Sequence, residues 1–561
     1  MTRFEKTMQV IGIFAIVFMT AFSSMAGVDN KSSFDKIDDA YQAGTITESD
    51  MLFEKMTALF APQKLADQFR TASFMPFKCG TELVQEVQSK WALFTPDQQA
   101  ALTQFLARPS TQVSYDTPDG FFKIHYDTSG PEVVPLEDKD ANGIPDFVDR
   151  IAVYCDSGRR AYLNLGYLPA VTDSVSGGDG RFDIYLLSID GCGITIPDAP
   201  GDSSWNDYST YIEIHRNFYG FGSNNDPEGD TIGLQKVTCV HEYFHAVQLA
   251  YNLDADRWWM EASATWMEEV LYPIVQDNHS YLPYFLGVPQ TRLIQEGDYH
   301  QYGAFVWPGF LQQKYDYTII RKVLEKNRYV STLNALDTAL APHSERVSHI
   351  FPEFAVWNYY TGARAKSGVY YAQAESYSSV PVDLTYSTLK HDSIQPVNRP
   401  DGLGCNYISF AVDSTARGIL EMRLEGSPLS EWALTVIASR GSHDSVVTKF
   451  NSNNGPVKVL IPFIDDYDQV VAIPTAVSLY PQSVTYYLST VILSYGDANY
   501  DGRVNVGDVT YIINRVFKNG PAPKPVWQSG DANCDGSVNV GDVVHLINYV
   551  FKGGLSPCSN R

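Results

Sequence analysis

The chain has 561 residues, with 65 acidic against 41 basic side chains, a formal net charge of −24, 44% hydrophobic and 13% aromatic residues. Domains usually run to roughly 100–200 residues, so several are needed, and with only 19% charged residues disorder is excluded as the main state. The acidic surplus repels phosphate backbones and anionic lipid, which argues against nucleic-acid and membrane partners.

At the start, Arg3 and Lys6 precede an apolar run from Met8 to Phe22 and the small-x-small triplet Ser24-Met25-Ala26. This is the pattern of a secretory signal peptide over residues 1–26, too short to span a bilayer, so the protein is expected to be secreted. The seven cysteines are scattered and odd in number, which is no disulfide scaffold. The pairing to expect is Cys534 with Cys558, both in the last domain.

Residues 27–112 read as helical, with Phe34, Ile37, Ala40 and Tyr41 and then Met51, Phe53, Met56, Leu59 and Phe60 at helical spacing, separated by cap-type residues around Thr47. Such a region is either a prodomain covering an active site or a helical extension.

From residue 113 to 378 the texture is mixed α and β. Strands are expected at Gly120–Tyr126 and Arg181–Leu187. Between them, Asp138, Asp140, Asn142, Asp146 and Asp149 stand at loop positions 1, 3, 5, 9 and 12, with Gly143 at 6 and Ile144 offering a carbonyl at 7. That is the spacing of an EF-hand-type calcium loop.

In a helical stretch from Gly233 to Tyr251 lies His241-Glu242-Tyr243-Phe244-His245. Histidines four apart share one helix face and can bind one Zn²⁺, while Glu242 can hold a water beside the metal and take its proton. After a polar turn, Trp258-Trp-Met-Glu-Ala-Ser-Ala-Thr-Trp-Met-Glu-Glu269 puts Glu261 near a helix start, where an acid in an apolar run completes a His₂Glu site. HExxH followed by Glu-Ala-Ser-Ala-Thr-Trp resembles the gluzincin metallopeptidases of the thermolysin-like clan, over roughly residues 115–330. The resemblance implies an α+β zincin-like domain in which His241, His245 and Glu261 are zinc ligands and Glu242 is the general base. One position departs: many gluzincins have an Asp four residues after the ligand Glu, where this chain has Thr265, with Glu268 as a substitute one turn on. Tyr302 is the candidate oxyanion donor and His279 a weaker one.

Residues 379–494 show short β-type runs, among them Tyr407–Val412, Leu434–Ile437 and Val457–Ile461, and a β-sandwich is expected. Residues 495–561 hold an internal duplication at an offset of 34. Asp497, Asn499, Asp501, Asn505 and Asp508 in one copy match Asp531, Asn533, Asp535, Asn539 and Asp542 in the other, with Gly502 and Gly536 at position 6 and carbonyls from Arg503 and Ser537. Each Ca²⁺ loop is followed by a helix-like stretch with none before it, so this is half an EF-hand used twice. The segment resembles a type I dockerin, which implies an all-α calcium-folded module docking onto a cohesin. Positions 10 and 11 are Val506-Gly507 and Val540-Gly541, where dockerins often carry Ser-Thr for cohesin contact.

The combination points to a secreted zinc endopeptidase acting on protein or peptide, tethered by its dockerin. The alternatives are a catalytically silent zincin-fold interaction protein, or a hydrolase serving polysaccharide catabolism, for which no separate carboxylate pair stands out.

Overall fold

A computed structural model of the chain describes residues 31–71, 77–172, 176–413, 416–452 and 455–559. The expected signal peptide lies outside the described residues. Among those described, no helix is long and apolar enough to cross a membrane. The chain divides into two compact units, one of residues 1–163 and 168–253, the other of 164–167 and 254–561.

The first unit is built on a sheet of six strands among the described residues: β1 (Phe77–Cys79), β2 (Val113–Asp116), β3 (Phe122–Tyr126), β4 (Phe182–Leu187), β5 (Gly191–Pro200) and β6 (Tyr208–His215), in the order β1-β5-β6-β4-β3-β2. β5 runs antiparallel to β6, and β1 lies parallel on its outer side with Cys79 opposite Gly193. In β3 the burial alternates residue by residue, the signature of a strand with one covered face.

The N-terminal helices α1 (Ser33–Gln42) and α2 (Glu48–Phe60) each begin at a capping box, Ser32 with Asp35 and Thr47 with Asp50, which satisfies the orphan N–H groups of the first turn. With α3 (Thr81–Ser89) and α4 (Pro96–Phe105) they form one apolar layer. Ile37, Leu52, Met56, Leu59, Val84 and Leu102 pack there with Tyr185, Ile194, Ile196 and Tyr211 of the sheet. Each such side chain contributes about 1.5–3 kcal/mol on burial. The helical region of the sequence therefore contains a strand, β1, and that strand belongs to the sheet of the following region.

Two long helices complete this unit, α5 (Asp146–Asn164) and α6 (Asp230–Leu249). From Gly233 onward α6 is buried almost all round, as a helix in a protein interior must be when its apolar residues are not confined to one stripe. Its backbone is fixed by the Tyr162 hydroxyl of α5, which donates to Val240 O at 2.7 Å.

In the second unit, helices beginning with α7 (Arg257–Leu271) precede two β-sheets that share one apolar core. With β7 (Leu384–Tyr386), β8 (His391–Ile394), β9 (Gly404–Cys405), β10 (Ile408–Ala411), β11 (Ile419–Gly426), β12 (Trp432–Arg440), β13 (His443–Phe450), β14 (Val457–Ile461), β15 (Gln469–Ala476) and β16 (Tyr486–Leu493), one sheet has the order β13-β12-β15-β10-β7 with β9 beside β15, and the other β14-β11-β16-β8. Leu420, Met422 and Leu424 of β11 meet Leu434, Val436 and Val470 of the facing sheet in that core.

Two helices, Val506–Lys518 and Val540–Lys552, close the chain and pack on each other through Val509, Ile512, Val543 and Leu546. The Tyr500 hydroxyl donates to Glu421 Oε2 at 2.6 Å and so ties the first loop of this module to β11. Cys534 and Cys558 are joined in a disulfide, the pairing expected from sequence.

Candidate metal centre

His241 and His245 sit one turn apart on α6, and their Nε2 atoms are 3.1 Å from each other. Two nitrogens at about 2.0–2.1 Å from one tetrahedral Zn²⁺ would be roughly 3.3 Å apart, so the pair fits a shared ion. Gln248, three residues on, places Oε1 at 2.7 Å from His245 Nδ1. An amide oxygen only accepts, so Nδ1 carries the proton and Nε2 keeps its lone pair for a metal. Both imidazoles are buried.

A third donor comes from β1: the Cys79 sulfur and the ligating nitrogens of His241 and His245 all lie within 4.8 Å of one another. Cys79 is buried and in no disulfide. Two imidazoles and a thiolate are together a donor set that could hold a metal ion.

Glu242 points the other way round the helix, towards β5. Thr195 Oγ1 lies 2.8 Å from both its backbone oxygen and its Oε2, and Thr81 Oγ1 donates to the same Oε2 at 3.2 Å. Its Oε1 is buried with no hydrogen-bond partner. This close approach requires a glycine on the strand: a Cβ at Gly193 would stand 2.5 Å from Glu242 Cγ.

The other residues named from sequence belong to the second unit. Glu261 is buried on α7, as are Thr265 and Glu268. Thr265 Oγ1 has no hydrogen-bond partner there. Tyr302 is buried on the short helix His300–Gly303, its ring 5.2 Å from that of Tyr281. His279 Nε2 lies 3.4 Å from Glu269 Oε2. Sequence reasoning missed Cys79, Thr81, Gly193, Thr195 and Gln248. Only Gln248 left a readable signal, as a polar residue at i+3 from His245.

The duplicated loops repeat one hydrogen-bonded turn. Asp497 accepts from the N–H groups of Asp501 and Gly502 at 3.0 and 2.9 Å, and Asp531 from those of Asp535 and Gly536 at 3.1 and 3.0 Å. Asp508 accepts from Asn499 and Asn505, and Asp542 from Asn533 and Asn539. Position 6 has a positive φ in both, 84° at Gly502 and 86° at Gly536. Burial and then the neighbouring carboxylates push Asp508 and Asp542 above the usual carboxylate range, the strain that a bound cation relieves.

Residues 495–551 match the Dockerin type I domain. The dockerin implies calcium binding and a cohesin-bearing partner, as in extracellular assemblies held together by this pair. Val506 and Val540 at position 10 are more than half exposed, as are Phe517 and Phe551, so matching apolar side chains of both copies face solvent.

No curated protein matches the chain. Among solved structures, the pre-peptidase C-terminal domain of a collagenase from Bacillus anthracis is similar at 12% identity and a TM-score of 0.16, over 20% of this chain and 100% of that one. A likeness of that size carries no argument.

The Asp138 loop makes the turn of the dockerin loops. Asp138 accepts from Asn142 N at 3.2 Å and Gly143 N at 2.9 Å, and Asn142 Oδ1 from Ile144 N at 2.7 Å. Asp138, Asp140 and Asp146 bring carboxylate oxygens within 4.8 Å of one another, while Asp149 accepts from Asn142 Nδ2.

Proposed function

We propose that the protein is a zinc-dependent endopeptidase of the gluzincin type, carried to a cohesin-bearing assembly by its dockerin. The observation that supports this best is the pair of buried imidazoles whose Nε2 atoms face each other at 3.1 Å, one of them oriented by Gln248. His241, His245 and Glu261 would hold the ion. When bound, zinc supplies a Lewis acid that polarises a carbonyl and acidifies water.

The remaining chemistry belongs to side chains. Glu242 takes the water proton at Oε1, the oxygen without a partner, while Thr195 holds Oε2 and keeps the carboxylate from turning. Tyr302 donates to the developing oxyanion. The Asp138 loop binds a third calcium ion and stiffens the start of α5.

The test is to purify the secreted chain, measure bound zinc, and follow casein cleavage with Glu242→Gln as the control. Zinc-loaded protein without cleavage, both intact and after removal of residues 27–112, would sink the peptidase reading and leave the silent scaffold. The scaffold reading has less support, because His241, Glu242, His245 and Glu261 are all present in the sequence.

A further inference from the structure

We propose that the segment Phe77–Thr81 is an internal inhibitor of this site, with the Cys79 thiolate as a ligand of the metal. The inference rests on the zinc reading above and concerns how that site is regulated.

A zinc peptidase needs two things free: one position on the metal for water and the carbonyl, and a strand edge along which an extended peptide can lie. In the first unit both are taken by one stretch of the chain. β1 lies on the outer side of β5, with Phe77 N donating to Asp190 O and Gly80 N to Gly193 O, each at 3.1 Å. That is how a bound peptide adds a strand to a sheet. At its end Cys79 brings its sulfur within 4.8 Å of the ligating nitrogens of both histidines, where it would occupy a position on a tetrahedral ion that water and the carbonyl need.

Two residues further on, Thr81 engages the general base. Its Oγ1 donates to Glu242 Oε2 and accepts from Thr195 N at 2.8 Å. One five-residue segment thus contacts the histidine pair, the catalytic carboxylate and the sheet edge. Gly80 makes this possible: a Cβ there would stand 2.8 Å from both Ile194 Cγ1 and Leu59 Cδ2, so the turn between sulfur and hydroxyl can follow the sheet only without a side chain.

The segment is held by the region that carries it. α1 to α4 cover the sheet with an apolar layer, and beyond them Arg108 pairs with Asp183 at 2.5 Å and Asp198 at 2.8 Å. The chain then passes through the irregular residues 106–112, of which Ala107, Ser110 and Gln112 are exposed, and a cut there would separate the covering layer from the rest of the sheet. On release one metal–sulfur bond breaks, the thiolate leaves as the thiol after taking a proton from solvent, and one water takes its place.

The experiment uses the full secreted chain loaded with Co²⁺ in place of zinc. The unmodified protein should show sulfur-to-cobalt charge-transfer absorption in the near ultraviolet. Cys79→Ser should lose that absorption and keep the d–d bands of a histidine-bound ion, while Cys192→Ser, a buried thiol on β5, should keep both. Casein cleavage by Cys79→Ser should rise roughly 100-fold, the gain expected when a closed form populated about 99:1 is abolished. Should the variants not fold, X-ray absorption of the unmodified zinc protein decides instead: one sulfur at about 2.3 Å supports the proposal and a shell of nitrogen and oxygen alone overturns it. Identical cobalt spectra with and without Cys79, or loss of the sulfur band with no gain in cleavage, overturn the inhibitor and leave the zinc site standing. A chain that binds no cobalt overturns both readings.

Discussion

Each dockerin loop gathers its oxygens from twelve consecutive residues, Asp497 to Asp508 or Asp531 to Asp542, at the N-terminal end of a helix. The His241 cluster collects its groups from a strand at residue 79, a helix start at 81, a second strand at 193–195 and α6, all buried. A loop built from local residues needs its ion to hold its like charges together. A cluster built from distant, packed elements is held in place by the sheet whether or not the ion is there. The two should therefore fail in different ways when the metal or its surroundings are disturbed.

The largest difference is expected on chelation. Withdrawing calcium should unfold the helices Val506–Lys518 and Val540–Lys552 and abolish cohesin binding, because metal affinity in such loops is folding free energy. Withdrawing zinc should leave the first unit folded. Circular dichroism after each chelation, together with cohesin capture, measures this. Equal loss of structure in both cases would show that the buried cluster also depends on its ion for assembly.

Next comes Gly193→Ala. Its Cβ must displace Glu242 from a site 2.5 Å away, and overpacking of this kind costs about 1–3 kcal/mol. Chemical denaturation should show that loss, and casein cleavage should fall with it. Gly502→Ala offers the matching change in the dockerin: a positive φ costs roughly 1–2 kcal/mol, but with nothing within 4 Å of the new Cβ the penalty is backbone strain alone. If the two variants affected the first unit equally, the packing argument at Gly193 would be wrong.

This contrast also explains what could be read from the sequence. The dockerin loops, their helices and the His241–His245 pair were legible because ligand spacing along a loop or a helix is written directly in residue numbers. The capped helices around Thr47, the strands near Phe122 and Phe182, and the Cys534–Cys558 pairing were legible for similar local reasons. Cys79, Thr81 and Thr195 were not, since their roles depend on the register of β1 against β5, and β1 is three residues long inside a region whose periodicity is helical. The cluster was thus half visible: the helix supplied its motif and the sheet supplied everything that surrounds it.

A smaller effect is expected at Gln248. Replacing it with Leu removes the oxygen that fixes the His245 tautomer, and loss of such an outer partner typically lowers metal affinity about 10–100-fold. Competition with a zinc chelator checks it, and an unchanged affinity would mean that packing alone orients the ring. In the dockerin, Asp497 and Asp531 are held by backbone N–H groups instead.

The most gradual effect, spread over several pH units, concerns a buried carboxylate. Glu213 on β6 pairs in register with Ile194 and Tyr185, and burial pushes it up from 4.5 to about 8, so it is protonated at neutral pH. The unfolded chain ionises this group near 4.5 while the folded one does not, so its contribution is fully present below that pH. Stability is then lost as the pH rises towards about 8, by at most about 1.4 kcal/mol for each unit. Melting of the intact chain should show the first unit weakening across this window, with Glu213→Gln flattening the slope. In the calcium-loaded dockerin the trend should be reversed, because its carboxylates must ionise to hold the ion and acid releases it. A first unit whose stability is unchanged from pH 4.5 to 8, or a slope that survives Glu213→Gln, would assign the pH dependence to other groups.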